Sequence, residues 1–390
     1  MARENPVKVL FVVTEDWYFV SHRLPLALAA QRAGYQVAVA TRDSEHGATI
    51  RAAGIRLIPF EMARQAGSVL SELCALWRLY RRERPDLVHH VAMKPVLYGA
   101  VAARVASISM QVNAVTGLGW LFTSSSGAVA SVLRAGVVRV LAMLLSRPRS
   151  LTVVQNPDDF SLLEQVGIPA QRLRLIRGAG VDVEAFRPPG PLLPSGVVCV
   201  VLAARMLWDK GVGEFVQAAH CLYAKGMPAR FILVGDPDRA NPTSIPERTL
   251  RGWHGVRGVE WWGRQADMPA VLRQAHVACL PSYREGLPKS LLEAAACGLP
   301  IITTDTPGCR EIVKDGENGL LVPIKNSAAL AEALEKLILN VDLRLRMGAR
   351  SRQLVMERFS QERVIDATLA VYRELMAEVA GQPLASSGSR

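Results

Sequence analysis

For most of its length the chain alternates two kinds of segment, and that alternation narrows the fold more than any single motif. Val7 to Val13, Gln36 to Ala40, Leu87 to His90 and Leu173 to Ile176 are short strand-like segments, separated by stretches with helical spacing such as Ser21 to Ala33. Strands that alternate with helices build a parallel sheet covered on both faces, because each parallel crossover needs a dozen or more residues and a helix supplies them. Residues 187–196 are rich in proline and glycine and interrupt the pattern. A second alternating set opens with the uncharged run Val197 to Ala203, which reads as a buried strand. The expected architecture is α/β, with two Rossmann-like doubly wound domains. The first is expected over 1–186, a linker over 187–196 and the second over 197–360, with a C-terminal helix and tail over 361–390. Ligands of such sheets lie beyond the carboxyl ends of the strands. The tips to inspect in the first domain are therefore Thr14 to Arg23, His89 to Pro95, Asn113 to Trp120 and Gly178 to Asp182.

Charge and cysteine usage restrict the function classes. The six cysteines are dispersed with no C-x-x-C pair, which points to reduced thiols in a cytoplasm and away from a disulfide framework or a zinc site. The apolar run Val9 to Val13 is too short for a signal peptide or a spanning helix, and Ala128 to Leu145 is cut by Arg134 and Arg139. Net charge is +11, and residues 1–180 carry 21 Lys/Arg against 12 Asp/Glu. No acid occurs between Asp86 and Asp158, whereas Lys94, Arg104, Arg134, Arg139, Arg147 and Arg149 all fall there. Such a surface attracts anionic headgroups, diphosphates or nucleic acid. Nucleic acid is set aside because no zinc-finger, RNP-like or helix-turn-helix pattern accompanies the charge. In the segment Ala128 to Leu145, Leu133, Val137, Val140, Leu141 and Leu144 share one helical arc and the arginines another. That suits a helix lying on an anionic membrane surface, or one packed on the sheet.

The densest chemical signal is Pro281 to Pro300. Val277 to Leu280 reads as a buried strand, and the spacing of Leu291, Leu292 and Ala295 after Pro288, closed by Gly298 and Pro300, reads as a helix with its stop signals. Glu285 then lies in the turn and Glu293 about two helical turns further on. Between them the amides of Gly286, Leu287, Pro288, Lys289 and Ser290 (proline itself lacking N–H) approach the helix start, where unpaired donors and the helix dipole favour an anion. Acid, anion seat, acid is the order of a nucleotide sugar: hydroxyl-rich sugar, diphosphate, hydroxyl-rich ribose.

The E-x7-E spacing in this setting resembles the retaining GT-B glycosyltransferases of family 4, in particular the bacterial subgroup that builds lipid-linked oligosaccharides and surface polysaccharides. The resemblance is dense from Gly178 to Pro323 and patchier before it. It implies two domains facing across a cleft, with Glu285 on the donor sugar, Glu293 on the ribose, and Arg205 and Lys210 on the donor diphosphate. Gly263 and Arg264 fall where family members hold the base, and Gly180 falls in a glycine-valine-aspartate signature at the domain junction. Asp236 and Asp238 form a D-x-D pair where the family has an ordinary loop, so no metal or other cofactor is expected.

In the first domain the family often carries a histidine after the fourth strand. His89 and His90 both stand there; strand alternation sends them to opposite faces, so at most one reaches a site, and His90 is preferred. Lys94 is a candidate phosphate contact. Tyr18 and His22, in a first loop without the family's usual glycines, are candidates for an acceptor wall, and the loop equally suits plain packing. Asn113 to Phe122 resembles the matching loop of the lipid-linked subgroup, with Thr116, Gly117 and Gly119 near the acceptor. The function implied is transfer of a sugar from a nucleotide sugar, UDP-linked by preference, to a polyprenyl-diphosphate-linked glycan by a cytoplasmic enzyme peripheral on the inner face of the membrane. No carboxylate nucleophile is evident, so attack on the face the diphosphate leaves, with the leaving phosphate taking the proton, fits best. The rivals are a transferase with a soluble acceptor, a sugar epimerase, and a catalytically silent partner of a membrane assembly.

Overall fold

The computed structural model describes residues 6–62, 68–117, 128–188 and 196–381. Gly119, Trp120, the middle of the expected linker and the tail beyond 381 lie outside the described residues, as do the side chains of Leu133, Arg134 and Val137.

The chain divides into two compact units, residues 1–179 with 362–390, and residues 180–361. The first is built on a seven-stranded parallel sheet ordered β3-β2-β1-β4-β5-β6-β7. Its strands are β1 (Lys8–Val12), β2 (Gln36–Thr41), β3 (Arg56–Pro59), β4 (Leu87–Val91), β5 (Met110–Ala114), β6 (Ser150–Val154) and β7 (Leu173–Leu175). Four of them, β4, β5, β6 and all but the first residue of β1, are buried throughout, as expected of strands covered on both faces. The helix Gln361–Val379 lies on this sheet, burying Val364, Val371, Tyr372 and Leu375 in the same core as Phe11, Val39, Leu87 and Val112.

The second unit carries a six-stranded parallel sheet ordered β10-β9-β8-β11-β12-β13. Its strands are β8 (Val198–Ala203), β9 (Ala229–Val234), β10 (Val259–Trp261), β11 (Val277–Leu280), β12 (Ile301–Thr304) and β13 (Gly319–Val322). In both sheets the strand order reverses beside the first strand, at β1/β4 and at β8/β11, and that reversal opens a crevice for ligands.

Two expectations need correcting. The division falls at Ala179/Gly180, not at 186/187, because residues 180–186 are tied to the second unit. Val181 pairs with Ser360, and Arg352 Nη1 donates to the carbonyls of Val183 and Phe186 at 2.8 and 2.7 Å. The expected helix Ser21 to Ala33 is two helices, Asp16–His22 and Leu24–Arg32, broken at Arg23 (φ −128°, ψ −19°). Pro25 opens the second one, where its missing N–H costs nothing.

Candidate active site

In the second unit, the loops leaving β8 and β11 run side by side because their strands do. Tyr283 N donates to the carbonyl of Asp209 at 2.8 Å, and Ser282 Oγ reaches the same oxygen at 3.2 Å. Gly211 permits the approach: its φ is +71°, and a Cβ there would lie 2.0 Å from the Pro281 carbonyl. With the loops fixed, Lys210 Nζ donates to Glu285 Oε1 at 2.6 Å, the two side chains only 17% and 12% exposed. A charged pair this short and this sheltered is the strong kind of hydrogen bond.

Glu285 is also braced from behind. Gly308, at the start of the helix Pro307–Ile312, donates its N–H to the Glu285 carbonyl at 3.2 Å, and a Cβ at Gly308 would sit 2.4 Å from the Gly286 carbonyl. The Thr304 hydroxyl donates to the Ser282 carbonyl and Thr303 Oγ1 to that of Leu280 at 2.7 Å, tying β12 to the same loop.

The helix Lys289–Ala296 starts after Pro288, an N-cap that makes no side-chain capping hydrogen bond. Glu293 projects from its second turn, 3.5 Å from Lys289 Nζ. Burial raises the Glu293 pKa, and the Lys289 ammonium pulls it back. Arg205 meets a partner that the sequence reading did not name: its Nη1 donates to Asp238 Oδ2 at 2.7 Å while the side chain stays 45% exposed. Asp236 Oδ1 accepts the Arg264 amide at 3.0 Å, and Gly235 N donates to the Gly263 carbonyl at 2.8 Å. The D-x-D acids therefore position an arginine and a loop, and among the described residues no group of three or more His, Cys, Asp or Glu could hold a metal ion. Tyr283, whose hydroxyl donates to Glu214 Oε1 at 2.6 Å, was also missed; burial, with the Glu214 hydrogen bond and charge, pushes its pKa up. Gly180 (φ +71°) has a packing reason, since a Cβ there would meet the Gln361 backbone at 2.6 Å.

In the first unit the preference for His90 does not survive. The ring is fully buried, with Nδ1 2.8 Å from Asn113 Oδ1 and Nε2 2.8 Å from the Tyr80 hydroxyl. Asn113 Nδ2 donates to Ser150 Oγ at 3.0 Å, so the amide oxygen faces His90, whose Nδ1 carries the proton. Burial lowers the His90 pKa to about 4. It is a buried tie in the core, from β4 to Asn113 on β5 and to Tyr80. Lys94, expected at a phosphate, gives its ammonium to Glu72 at 2.8 Å. His89 faces the other way, stacked on Phe11 at 4.8 Å, with Nδ1 2.6 Å from the Tyr372 hydroxyl. Tyr18 and His22 stack at 4.2 Å, and the Tyr18 hydroxyl meets Thr116. Gly117 follows at φ +140°, a conformation that requires glycine.

Two family models cover these units. The model of group 1 glycosyl transferases matches residues 198–340, and that of 4-like glycosyl transferases matches 8–146. The chain is a glycosyltransferase of these families. The transferase is 27% identical over 92% of its length, and 96% of the relative's, to the Campylobacter jejuni N,N'-diacetylbacillosaminyl-diphospho-undecaprenol alpha-1,3-N-acetylgalactosaminyltransferase. It is 24% identical, over 79% of its length and 80% of the relative's, to the Escherichia coli UDP-Gal:alpha-D-GlcNAc-diphosphoundecaprenol alpha-1,3-galactosyltransferase. Its fold, GT-B, is shared with an Anabaena protein solved with UDP and glucose (TM-score 0.75, 18% identity, 94% of this chain and 99% of that one). Sucrose-phosphate synthase from Thermosynechococcus elongatus matches as well (TM-score 0.75, 19% identity, 95% of this chain and 100% of that one).

Proposed function

We propose that the transferase moves a sugar from a UDP-sugar to a glycan carried on a polyprenyl diphosphate, with retention of configuration and without a metal ion. The observation that carries this reading is the Lys210–Glu285 pair at 2.6 Å beside the start of the helix Lys289–Ala296. A cation, an acid and the amide end of a helix within one braced loop pair match a diphosphate and the hydroxyls of its sugar. In this reading Lys210, Arg205 and the amides following Gly286 stabilise charge on the departing UDP. Glu285 orients the sugar hydroxyls, and Glu293 accepts from the ribose. The leaving phosphate takes the acceptor's proton, so the protein need supply no base of its own. The diphospho-undecaprenol acceptors named for both relatives favour a lipid-linked acceptor here.

The proposal includes the inner membrane face. Among the described residues no helix is long and apolar enough to cross a membrane. On the helix Ala128–Leu145, Leu141, Leu144 and Leu145 pack inward, whereas Val140, expected on the same apolar arc as Leu141 and Leu144, is exposed with Met143 and Arg139. An apolar pair beside a cation suits an anionic lipid surface, and binding to phosphatidylglycerol vesicles is expected to fall as salt rises.

Glu285→Gln tests the site. Transfer from a UDP-sugar is expected to fall about 100-fold or more, in the range seen when one group stabilising a transition state is removed, while UDP still raises the melting temperature. Undiminished transfer by this variant overturns the reading.

A further inference from the structure

Among its described residues the first domain holds a buried cation with no counter-charge. Arg23 is 5% exposed, its Nε has no hydrogen-bond partner, and among the described residues no ion pair or side-chain hydrogen bond reaches its guanidinium. The two acids nearest in sequence are engaged elsewhere. Asp16 accepts from Ser44, His46 and Trp17, and Glu15 lies 3.6 Å from Arg42. A charge withdrawn from water without a counter-charge is strongly disfavoured, so a buried arginine of this kind calls for an anion from outside the chain.

A second unpartnered polar group lies nearby. His89 is 1% exposed, and its Nε2 has no partner. In the tautomer in which the Tyr372 hydroxyl donates to Nδ1, Nε2 carries the proton and can donate to an anion. Burial first, and then the charges of Arg23 and His90, holds the His89 pKa well below its usual value, so the ring is neutral. The charge of Arg23 also acts on Tyr18, opposing the burial that raises that hydroxyl's pKa. Arg23 ends the helix that follows β1 and His89 lies on the neighbouring β4, so both stand beside the point where the strand order reverses.

We propose that Arg23 and His89 form an oxyanion subsite in the first domain that holds a phosphate of the acceptor's diphosphate. The subsite rests on the lipid-linked reading above for the source of its ligand. An acidic sugar in the acceptor glycan offers the same chemistry through its carboxylate, and the two sources are separable.

The test is calorimetric titration of the full-length protein, kept saturated with UDP so that added diphosphate does not report the donor site. Farnesyl diphosphate is expected to bind at least tenfold more tightly than farnesol. Arg23→Gln is expected to weaken farnesyl diphosphate at least tenfold, Arg23→Lys to recover part of the loss, and the UDP affinity of both to stay that of the wild type. If Arg23→Gln does not fold, His89→Gln carries the same comparison with a smaller expected loss. Equal affinity of wild type and Arg23→Gln for farnesyl diphosphate overturns the subsite. Glucuronate binding that depends on Arg23, with farnesyl diphosphate unaffected, overturns the diphosphate as its ligand. No sugar transfer enters the readout, so failure of the subsite and failure of the transferase reading are told apart by the Glu285→Gln result.

Discussion

Glu293 and His90 are both buried titratable groups, and they bend the pH response in opposite senses. The folded pKa of His90, about 4, lies below its usual 6.5, so between these values the unfolded chain binds more protons. Its contribution is therefore fully present above pH 6.5 and lost as pH falls toward 4, on the order of 3 kcal/mol for a shift of this size. His90→Gln should flatten that part of the stability profile, which thermal unfolding between pH 4 and 7 would show. The pKa of Glu293 is raised above 4.5, so the folded state holds its proton longer and stability falls as pH rises from 4.5 through the folded value. Glu293→Gln is accordingly expected to raise the melting temperature at pH 7 while weakening UDP binding about tenfold, the scale of one hydrogen bond to a charged group. A variant that melts lower and binds UDP unchanged contradicts both roles. The difference in legibility between the two residues is physical. Glu293 is placed by helical spacing within one stretch of sequence, whereas His90 is decided by Tyr80, Asn113 and Gly99, and a Cβ at Gly99 would lie 2.3 Å from His90 Nε2. Such burial comes from helix-on-sheet packing, which a strand-end position does not reveal.

At the scale of elements, the loop after β11 depends on its neighbours for its shape. Gly308 abuts the carbonyls of Glu285 and Gly286 at 2.6 and 2.4 Å from its Cβ direction, and both contacts are backbone, so neither can swing aside. Gly308→Ala should displace the loop, lower kcat/KM for the donor about tenfold or more and cost roughly 1–3 kcal/mol of stability, the usual penalty of overpacking. Unchanged donor kinetics would show that the loop does not need this brace. Here the sequence was informative where local signals agree. Val277–Leu280 is the strand read from its apolar run, and the helix Lys289–Ala296 ends at Gly298, whose φ of +74° explains the stop. It was uninformative at Arg23, where apolar spacing from Ser21 to Ala33 continues across the break between two helices. The break sets Arg23 at the boundary of the two helices, which is why the most unusual charge of the first domain escaped notice. The partners of Arg205 and Tyr283 were equally hidden, since Asp238 and Glu214 are 33 and 69 residues away along the chain.

At the scale of the whole molecule, the second unit is inserted into the first, whose last element is the helix Gln361–Val379. That helix buries Val364, Val371, Tyr372 and Leu375, and at about 1.5–3 kcal/mol for each large apolar side chain the contribution is comparable to the roughly 5–15 kcal/mol of net stability a domain possesses. It also anchors the far edge of the sheet. Arg172 grips Glu378 with two hydrogen bonds of 2.9 Å, the Arg149 amide reaches the same carboxylate at 3.2 Å, and Arg174 pairs with Glu374. Burial raises the Glu378 pKa, but Arg172 and the Arg149 amide outweigh it and hold the carboxyl below its usual value, so this tie contributes fully above pH 4.5 and is lost as pH falls from there through the lowered folded value. A chain ending at Ser360 should therefore lose the cooperative unfolding of the first unit and keep that of the second, whose core contains no residue from the helix. Hydrogen exchange reads the two separately: strands β1 to β7 are expected to exchange freely in the truncated chain, while β8 to β13 stay protected and gain protection from UDP. Protected β1 to β7 in that chain would mean the first sheet folds without its last helix, and the buried Tyr372–His89 contact would then be a consequence of the fold and not one of its supports.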